Sequence, residues 1–272
     1  MEHFKTIIIS DLHLGIKSSK AKEVVKFLKN NTCDKLILNG DIIDGWQLKR
    51  SGKWKKKHTR FFKLVMKYVS KRKTEVIYLR GNHDDFLEEL IPFKFGKLTL
   101  ANHHIHDSNG KKYFVIHGDI FDSITTNLKW LSKLGDIGYT FLLWLNRHYN
   151  TYRAKRGLPY YSLSQAIKLK VKSAVSFIDD YENQLVEVAR ARKCEGIICG
   201  HIHQVADKMI NNIHYLNSGD WVESLTALTE DHDGNWQIVQ YDQWLKKHEE
   251  QTTVELKEQD NPGNFSDLLK AS

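Results

Sequence analysis

The sequence has few cysteines, and their spacing excludes a disulfide scaffold. Its 272 residues include only Cys33, Cys194 and Cys199, none of them in a C-x-x-C pair. Three thiols cannot all pair with one another, which argues against a disulfide framework. Because Cys199 lies within an apolar strand pattern, we expect it to be buried by packing and not to bind a metal.

A long apolar run is also missing. The longest apolar stretch lies at 141–145, far too short to span a bilayer. The N-terminus has no apolar h-region of a secretory signal, because a strand pattern and a polar motif begin within about a dozen residues. We therefore expect a cytoplasmic protein whose contact with a membrane, if it has one, is peripheral on the inner face of the cell membrane.

The chain is rich in positive charge. It carries a net charge of +8 and is 41% hydrophobic, enough to bury one sizeable core. A basic stretch at 49–60 directly follows the Gly40-Asp41 motif, so we expect it near that motif. The charge favours an anionic substrate, anionic lipid headgroups or nucleic acid as a partner. A solvated lysine loop without a partner is an equally weighted alternative.

Apolar runs alternate with amphipathic periods, as in proteins built from β-α-β units. The patterns predict strands at 5–10, 34–39, 74–79, 112–116, 195–199, 213–217, 224–229 and 235–241. They predict helices at 19–30, 59–72, 123–150 and 162–193. Internal repeats are not evident.

Short acidic and histidine motifs follow five of the predicted strands. They are Asp11-Leu12-His13, Gly40-Asp41, Gly81-Asn82-His83-Asp84, His117-Gly118-Asp119 and Gly200-His201-Ile202-His203. One such motif alone is more often a turn or a helix N-cap, but five at five strand ends would require five coincidences. Two cations about 3.5–4 Å apart need a bridging carboxylate and several oxygen and imidazole ligands. The motifs therefore predict a two-metal hydrolytic centre, with the adjacent glycines supplying positive φ for sharp turns.

In this order, D-x-H, G-D-x-x-D, G-N-H-D, H-G-D and G-H-x-H resemble the calcineurin-like metallophosphoesterase family over roughly residues 5–222. The resemblance implies a four-layer α/β (α+β) fold, in which two mixed β-sheets pack face to face with flanking helices. We expect one metallophosphoesterase domain at 1–245, with a helical cap insertion at about 121–170. The charged tail at 246–272 is expected to be mobile or to form a docking helix.

The resemblance assigns a role to each motif residue. One ion would be held by Asp11, His13, Asp41 and His203. The other would be held by Asp41, Asn82, His117 and His201, so that Asp41 bridges the pair. Asn82 and His83 would face the phosphate; His83 would contact it or protonate the leaving oxygen, and Asp84 would orient His83. The donor set suits Mn²⁺, Fe²⁺ or Zn²⁺ better than Ca²⁺, and the resemblance favours Mn²⁺.

Within the family, the segments 11–15, 40–46 and 216–222 and the amphipathic insertion resemble the group that hydrolyses UDP-2,3-diacylglucosamine to UMP and a lipid sugar 1-phosphate. The resemblance implies an anionic lipid-linked nucleotide as substrate and a reaction at the inner membrane surface; no stable protein partner is inferred. One residue departs from the pattern, because the best-known branch of that group carries arginine where this chain has His83. Histidine is the pattern of generic phosphoesterases, which leaves another phosphomonoester or diester open.

The segment between His117 and His201 is the least typical of the family. Residues 121–161 combine leucine and aromatic residues with lysine and arginine, which predicts a helical cap with an apolar groove or a membrane-surface face. A buried helical hairpin or a dimer interface is the alternative. Lys168, Lys170 and Lys172 are candidates for binding the substrate's remaining negative charge, with ordinary helix-surface lysines as the alternative.

Two other classes of function fit the sequence less well. A nucleic-acid phosphoesterase would explain the positive charge, but the aromatic residues cluster in the insertion and do not interleave with basic residues along a groove. A non-catalytic scaffold would be expected to have lost several ligands, and none is missing. The remaining histidines, including His103, His104 and His106, are expected on the surface or in loops.

Overall fold

Two mixed β-sheets form the centre of the computed structural model, which describes residues 2–50, 52–121, 149, 151–153, 155–157 and 178–259. The seven-stranded sheet contains β1 (Glu2–Ile9), β2 (Asn31–Asn39), β3 (Glu75–Leu79), β4 (Phe93–Phe95), β5 (Leu98–Ala101), β11 (Thr226–Glu230) and β12 (Trp236–Gln240). The five-stranded sheet contains β6 (His103–Ser108), β7 (Lys111–Ile116), β8 (Gly196–Cys199), β9 (Ala206–Ile210) and β10 (Ile213–Asn217). Their strand orders are β12-β11-β1-β2-β3-β5-β4 and β6-β7-β8-β10-β9.

Parallel strands occupy the middle of both sheets. In the larger sheet β2 is parallel to β1 and β3, with Ile37 opposite Ile8 and Ile77. In the smaller sheet β8 is parallel to β7 and β10, with Ile198 opposite Val115 and Leu216. Because parallel strands end at the same edge, the residues that follow β1, β2 and β3 lie together, as do those that follow β7 and β8.

Helices cover the outer faces of the two sheets. The helices are α1 (Ala21–Asn30), α2 (Gly45–Arg50), α3 (Lys56–Ser70), α4 (described over 178–191) and α5 (Tyr241–Gln259). Short 3₁₀ turns lie at Asp85–Leu90 and Asp119–Phe121. No helix in the described ranges is long and apolar enough to cross a bilayer.

Side-chain alternation along β1 shows how the layers are held together. Ile7 and Ile9 pack into the core beneath α1 and α3, whereas Ile8 packs into the core between the two sheets. The strand is buried on both faces, which explains its continuous apolar run. A third core joins the smaller sheet to α4 through residues such as Tyr181 and Leu185. The fold is therefore the predicted four-layer arrangement of helices, sheet, sheet and helices.

The predicted strands all appear in the structure with small shifts at their ends, but β4, β5, β6 and β9 were not predicted. The expectation that the histidines at 103–106 lie on the surface or in loops is wrong for His106. It is buried in β6, and its Nε2 lies 2.7 Å from Glu230 Oε2 on β11. The acidic partner comes from the other sheet, so local sequence does not show it. Cys199 is buried as expected, and its thiol donates to Tyr215 Oη at 3.2 Å.

Two predictions concern regions that the structure describes little or not at all. Most of the cap insertion predicted at 121–170 lies outside the described residues. The tail boundary placed at 245 stays a prediction; α5 runs across it, and Trp244 and Leu245 pack against the core.

Candidate metal centre

The loops that follow the parallel strands are tied to one another at one edge of the molecule. Asp11 N donates to Gly40 O at 3.1 Å, and His13 N donates to Asp41 O at 2.9 Å. In the smaller sheet, Gly200 N donates to His117 O at 3.0 Å. These bonds place the first, second, fourth and fifth motifs on a rigid backbone frame.

Two buried carboxylates connect the loops of the site, Asp11 across the two sheets and Asp41 within the larger sheet. Asp11 Oδ2 accepts a hydrogen bond from His201 N at 3.1 Å, and Asp41 Oδ1 accepts one from His83 N at 2.8 Å. Each carboxylate thus has one oxygen held by a backbone N–H. The other oxygen of each, Oδ1 of Asp11 and Oδ2 of Asp41, faces the histidines. Such a fixed outer contact is how proteins orient carboxylate ligands of metals.

The side chains form three overlapping groups, each with its nitrogen and oxygen atoms within 4.8 Å of one another: Asp11, His13 and His203; His13, Asp41 and His83; and Asp41, His117 and His201. Asp11 Oδ1 lies 3.3 Å from His203 Nε2 and 3.9 Å from His13 Nε2. Asp41 Oδ2 lies 3.3 Å from His117 Nε2 and 3.8 Å from His13 Nε2. Two ligands that are each about 2.1 Å from one ion are at most about 4.2 Å apart, so these distances fit metal binding.

Buried polar atoms without a partner also fit a metal. Among the described residues, His117 Nε2 and Asn82 Oδ1 are buried and have no hydrogen-bond partner. His117 Nδ1 lies 2.9 Å from Asn39 O, so Nδ1 carries a proton, and Nε2 is the nitrogen that could bind a cation beside Asp41. Leaving such groups unpaired costs about 1–3 kcal/mol each, which a bound cation would offset.

The backbone at the site is strained. Asp11, His13, Asp41, His201 and His203 all adopt the left-handed region, with φ between 46° and 68°. L-residues other than glycine visit this region rarely, at about 1–3 kcal/mol each. Five such residues in one cluster indicate that the fold tolerates strain here to aim these side chains inward.

The glycines of the motifs serve two different needs. Gly40 and Gly118 have φ of 79° and 118°, as expected for sharp turns. The same expectation is wrong for Gly81 and Gly200, whose φ lies outside the left-handed region. There the reason is space: a Cβ at Gly81 would lie 2.3 Å from Asp41 Oδ1, and one at Gly200 would lie 2.6 Å from Asp11 Oδ2.

The electrostatics of the pocket favour positive charge. Burial lowers the pKa of His203, but its contact with the Asp11 carboxylate prevails and raises it to about 9. Burial likewise opposes ionisation of Asp11, yet His117 and His203 lower the pKa of its carboxyl to about 2. Protonated imidazoles and divalent cations would compensate these buried carboxylates in the same way.

His83 lies beside the carboxylate of Asp44, for which the motifs had predicted no role. His83 Nδ1 is 3.2 Å from Asp44 Oδ1, while His13 Nδ1 is 3.4 Å from Asp44 Oδ2. The Trp46 ring packs on His83 at 4.3 Å between centroids. Asp44 therefore orients both a predicted ligand and the predicted acid. It is the second aspartate of G-D-x-x-D, so the motif contained the signal.

The contacts of Asp84 differ from the predicted ones. Its carboxylate accepts hydrogen bonds from Ile42 N at 3.0 Å, Ile43 N at 2.9 Å and Tyr78 Oη at 2.9 Å. Burial, with a smaller contribution from Asp41, raises the pKa of Asp84 to about 7. Asp84 thus anchors the loop after β2, and the expectation that it orients His83 is corrected to Asp44.

The predicted site residues fall into two sets. The structure brings together Asp11, His13, Asp41, His83, His117, His201 and His203, and it buries Asn82 beside them. The candidate substrate-binding residues Lys168, Lys170 and Lys172 lie outside the described residues.

Curated proteins of similar sequence carry one name. UDP-2,3-diacylglucosamine hydrolase from Shewanella halifaxensis is 24% identical over 242 residues, covering 84% of this chain and 95% of that protein. The protein of the same name from Psychromonas ingrahamii is 24% identical over 231 residues, covering 82% and 91%.

Similar solved structures include a predicted phosphoesterase from Streptococcus pneumoniae, with 14% identity, a TM-score of 0.39 and coverage of 87% of this chain and 89% of that chain. A hypothetical protein from Pyrococcus horikoshii has 10% identity, a TM-score of 0.46 and coverage of 91% and 94%. Residues 4–205 match the sequence profile of the calcineurin-like phosphoesterases. The chain therefore belongs to the calcineurin-like phosphoesterase family, whose members are metal-dependent phosphoester hydrolases.

Proposed function

We propose that the protein is a dinuclear metal-dependent hydrolase that cleaves the pyrophosphate of UDP-2,3-diacylglucosamine, or of a related lipid-linked nucleotide, to UMP and a lipid sugar 1-phosphate. The observation that carries the two-metal part is the position of Asp41 Oδ2, which lies 3.8 Å from His13 Nε2 and 3.3 Å from His117 Nε2. These histidines belong to different groups of donors. One carboxylate that serves both groups is what a bridged metal pair requires.

Each proposed ion has donors from both sheets. One would be held by Asp11, His13, Asp41 and His203, and the other by Asp41, Asn82, His117 and His201. We propose Mn²⁺ as the native metal, with Fe²⁺ and Zn²⁺ as alternatives, because mixed carboxylate, amide and imidazole donors suit these ions. When bound, the ions supply an activated water and neutralise charge on the phosphoryl oxygens.

His83 is suited to proton transfer on the substrate side of this centre. Its Nε2 lies 4.0 Å from Asp41 Oδ2, and its Nδ1 lies 3.2 Å from Asp44 Oδ1. The carboxylate of Asp44 fixes the ring and stabilises its protonated form, as acid residues beside a catalytic histidine do. Protonated His83 then donates from Nε2 to the oxygen of the departing group, or binds a phosphoryl oxygen.

Three curated relatives that share the same name support the lipid-linked nucleotide. We further propose that the reaction occurs at the inner face of the membrane, with the protein approaching from the cytoplasm, and that Lys168, Lys170 and Lys172 bind the remaining negative charge. Nucleic acid is the less favoured partner.

A second candidate is hydrolysis of a simpler phosphodiester or phosphomonoester. The residue that favours it is His83, because the best-known enzymes of the resembling group have arginine there. Histidine can protonate a poor leaving group, whereas arginine only binds charge.

Product analysis with the purified full chain and Mn²⁺ would decide between the two. UDP-2,3-diacylglucosamine, bis-p-nitrophenyl phosphate and single-stranded DNA would be offered in parallel, with Asp41→Ala as the inactive control. We expect UMP release at a rate far above hydrolysis of the other two substrates. Hydrolysis of the generic diester alone would refute the lipid-linked substrate but would still support the proposed metal centre.

A further inference from the structure

A basic groove lies between α1 and α3, and the proposed chemistry does not use it. It has a volume of about 340 Å³ and is lined by Ala21, Lys22, Val25, Lys26, Lys29, Lys57 and Arg60. We call it the α1/α3 groove. Five of its seven lining residues carry positive charge, and Ala21 and Val25 form an apolar floor.

Helical spacing explains this composition. Lys22, Lys26 and Lys29 lie four and three residues apart, so they share one exposed face of α1. Lys57 and Arg60 lie three residues apart at the start of α3. The opposite faces of both helices are buried in the core beneath the larger sheet. Packing of the apolar faces therefore sets two rows of cations side by side.

The cations of the groove have few acidic neighbours. Lys26 Nζ lies 3.2 Å from Glu249 Oε1 on α5. Within the described part of the chain, Lys22, Lys29 and Arg60 form no ion pair. Lys57 Nζ donates to Ser19 O at 2.5 Å, and burial together with nearby lysines lowers the pKa of Lys57 against the opposing charge of Glu23. The groove thus repels cations and attracts an array of anions.

One end of the groove adjoins the metal centre. Lys57 binds Ser19, and the next residue, Lys20, donates its N–H to Trp221 O at 3.1 Å. Trp221 N in turn donates to Asp11 O at 3.1 Å. The start of the groove is therefore connected through two backbone hydrogen bonds to the loop that carries Asp11.

Trp54 lies at this same end, in the sequence Lys53-Trp54-Lys55-Lys56-Lys57. Its ring is 44% exposed, and it contacts the rings of His58 and Phe62 at centroid distances of 5.2 and 5.9 Å. A tryptophan among lysines is typical of surfaces that bind at the headgroup level of a bilayer.

We propose that the α1/α3 groove docks the enzyme on an anionic lipid bilayer, with Lys22, Lys26, Lys29 and Arg60 binding phosphate headgroups. This proposal rests on the proposed lipid-linked substrate, because an enzyme with such a substrate must meet it at a membrane. Docking here would bring the loop that carries Asp11 toward the bilayer surface.

Vesicle cosedimentation with the full chain tests the surface directly. The test variant is Lys22→Gln/Lys26→Gln/Lys29→Gln/Arg60→Gln, all exposed positions, and it keeps the hydrogen-bonded Lys57. The matched control is Lys94→Gln/Lys111→Gln/Lys112→Gln/Lys193→Gln, which also removes four charges from a net +8 at exposed sites. Phosphatidylcholine vesicles with and without phosphatidylglycerol are compared at low and high salt.

We expect the wild-type protein to bind only the vesicles that contain phosphatidylglycerol, and less at high salt. The test variant should lose at least about tenfold in partitioning, since each lysine near an anionic surface contributes measurably to binding, while the control should lose far less. Equal losses in both variants, or no binding by the wild type, would overturn the proposal. So would a loss confined to single-stranded DNA offered in the same assay.

Two activity measurements separate this proposal from the proposed function. Hydrolysis of soluble bis-p-nitrophenyl phosphate should be the same in both variants and the wild type, because the groove residues do not touch the metal centre. If vesicle binding depends on the groove but no UMP is released from UDP-2,3-diacylglucosamine, the proposed substrate is refuted and the proposed docking surface is supported. If UMP is released but the test variant shows no selective loss of vesicle binding, the proposed docking surface is refuted and the proposed substrate is supported.

Discussion

A single methyl group at Gly81 should disable the metal centre. The Cβ of alanine there would lie 2.3 Å from Asp41 Oδ1 and 2.5 Å from Asp41 N, whereas ordinary contacts begin at 3.4 Å. The proposed bridging carboxylate must therefore move by about 1 Å, and a shift of that size at a reacting centre can cost about a hundredfold in rate. The same displacement would weaken the contact between Asp41 Oδ1 and His83 N.

Three measurements on Gly81→Ala would check this prediction: hydrolysis of bis-p-nitrophenyl phosphate with Mn²⁺, bound metal by elemental analysis and thermal unfolding. We expect about a hundredfold lower turnover and about 10–100-fold weaker metal binding. Gly96→Ala is the matched control, because a Cβ there meets nothing within 4 Å and its φ of 58° affects only stability. Wild-type turnover with a full metal complement in Gly81→Ala would refute the steric reasoning.

Three further predictions concern other buried groups. Asp41→Ala should empty or disorder the proposed metal pair, because both donor groups lose their shared carboxylate; wild-type metal content by elemental analysis would contradict this. His83→Ala should lower turnover by at least about 10²-fold at near-normal metal content, with His103→Ala as control; full activity would refute the proton-transfer role. Burial opposes ionisation of Glu230, but His106 prevails and lowers the pKa of its carboxyl to about 2. The ionised Glu230 carboxylate should stabilise the folded protein by about 3 kcal/mol at most. This contribution should be complete above the pKa of about 4.5 that Glu230 has in the unfolded chain, and it should disappear as the pH falls toward 2. The free energies of unfolding of the wild type and Glu230→Gln, measured by denaturant titration, should converge as the pH falls through this range. A difference between them that does not change with pH would contradict the pairing of Glu230 with His106.

Several features of the site could be predicted from local sequence. Apolar runs such as 34–39 and 112–116 identify strands buried on both faces, and parallel strands must end at a common edge. Polar residues that follow such runs in one sheet, such as Asp11 and Asp41, are therefore brought together by any parallel arrangement, whereas His117 reaches them only because the second sheet packs against the first. For the same reason, the residue types at these positions indicated a metal-binding site before any distance was known.

Other features depend on contacts between residues far apart in the chain. Asp44 and Asp84 each end one of the motifs, but only packing places Asp44 beside His83 and turns Asp84 toward Ile42 and Ile43. The left-handed backbone of the ligands is likewise imposed by the surrounding structure, since aspartate and histidine tolerate this region better than most residues but still adopt it rarely.

Sequence alone thus determined the alternation of strands and helices, the family motifs and the positive charge of the chain. Tertiary structure decided which carboxylate orients which histidine, where His106 finds its acidic partner, and that lysines of α1 face Lys57 and Arg60 across one groove. The physical reason is that residue types and periodicity are local properties, whereas pairing energies depend on distances that only the packed chain sets.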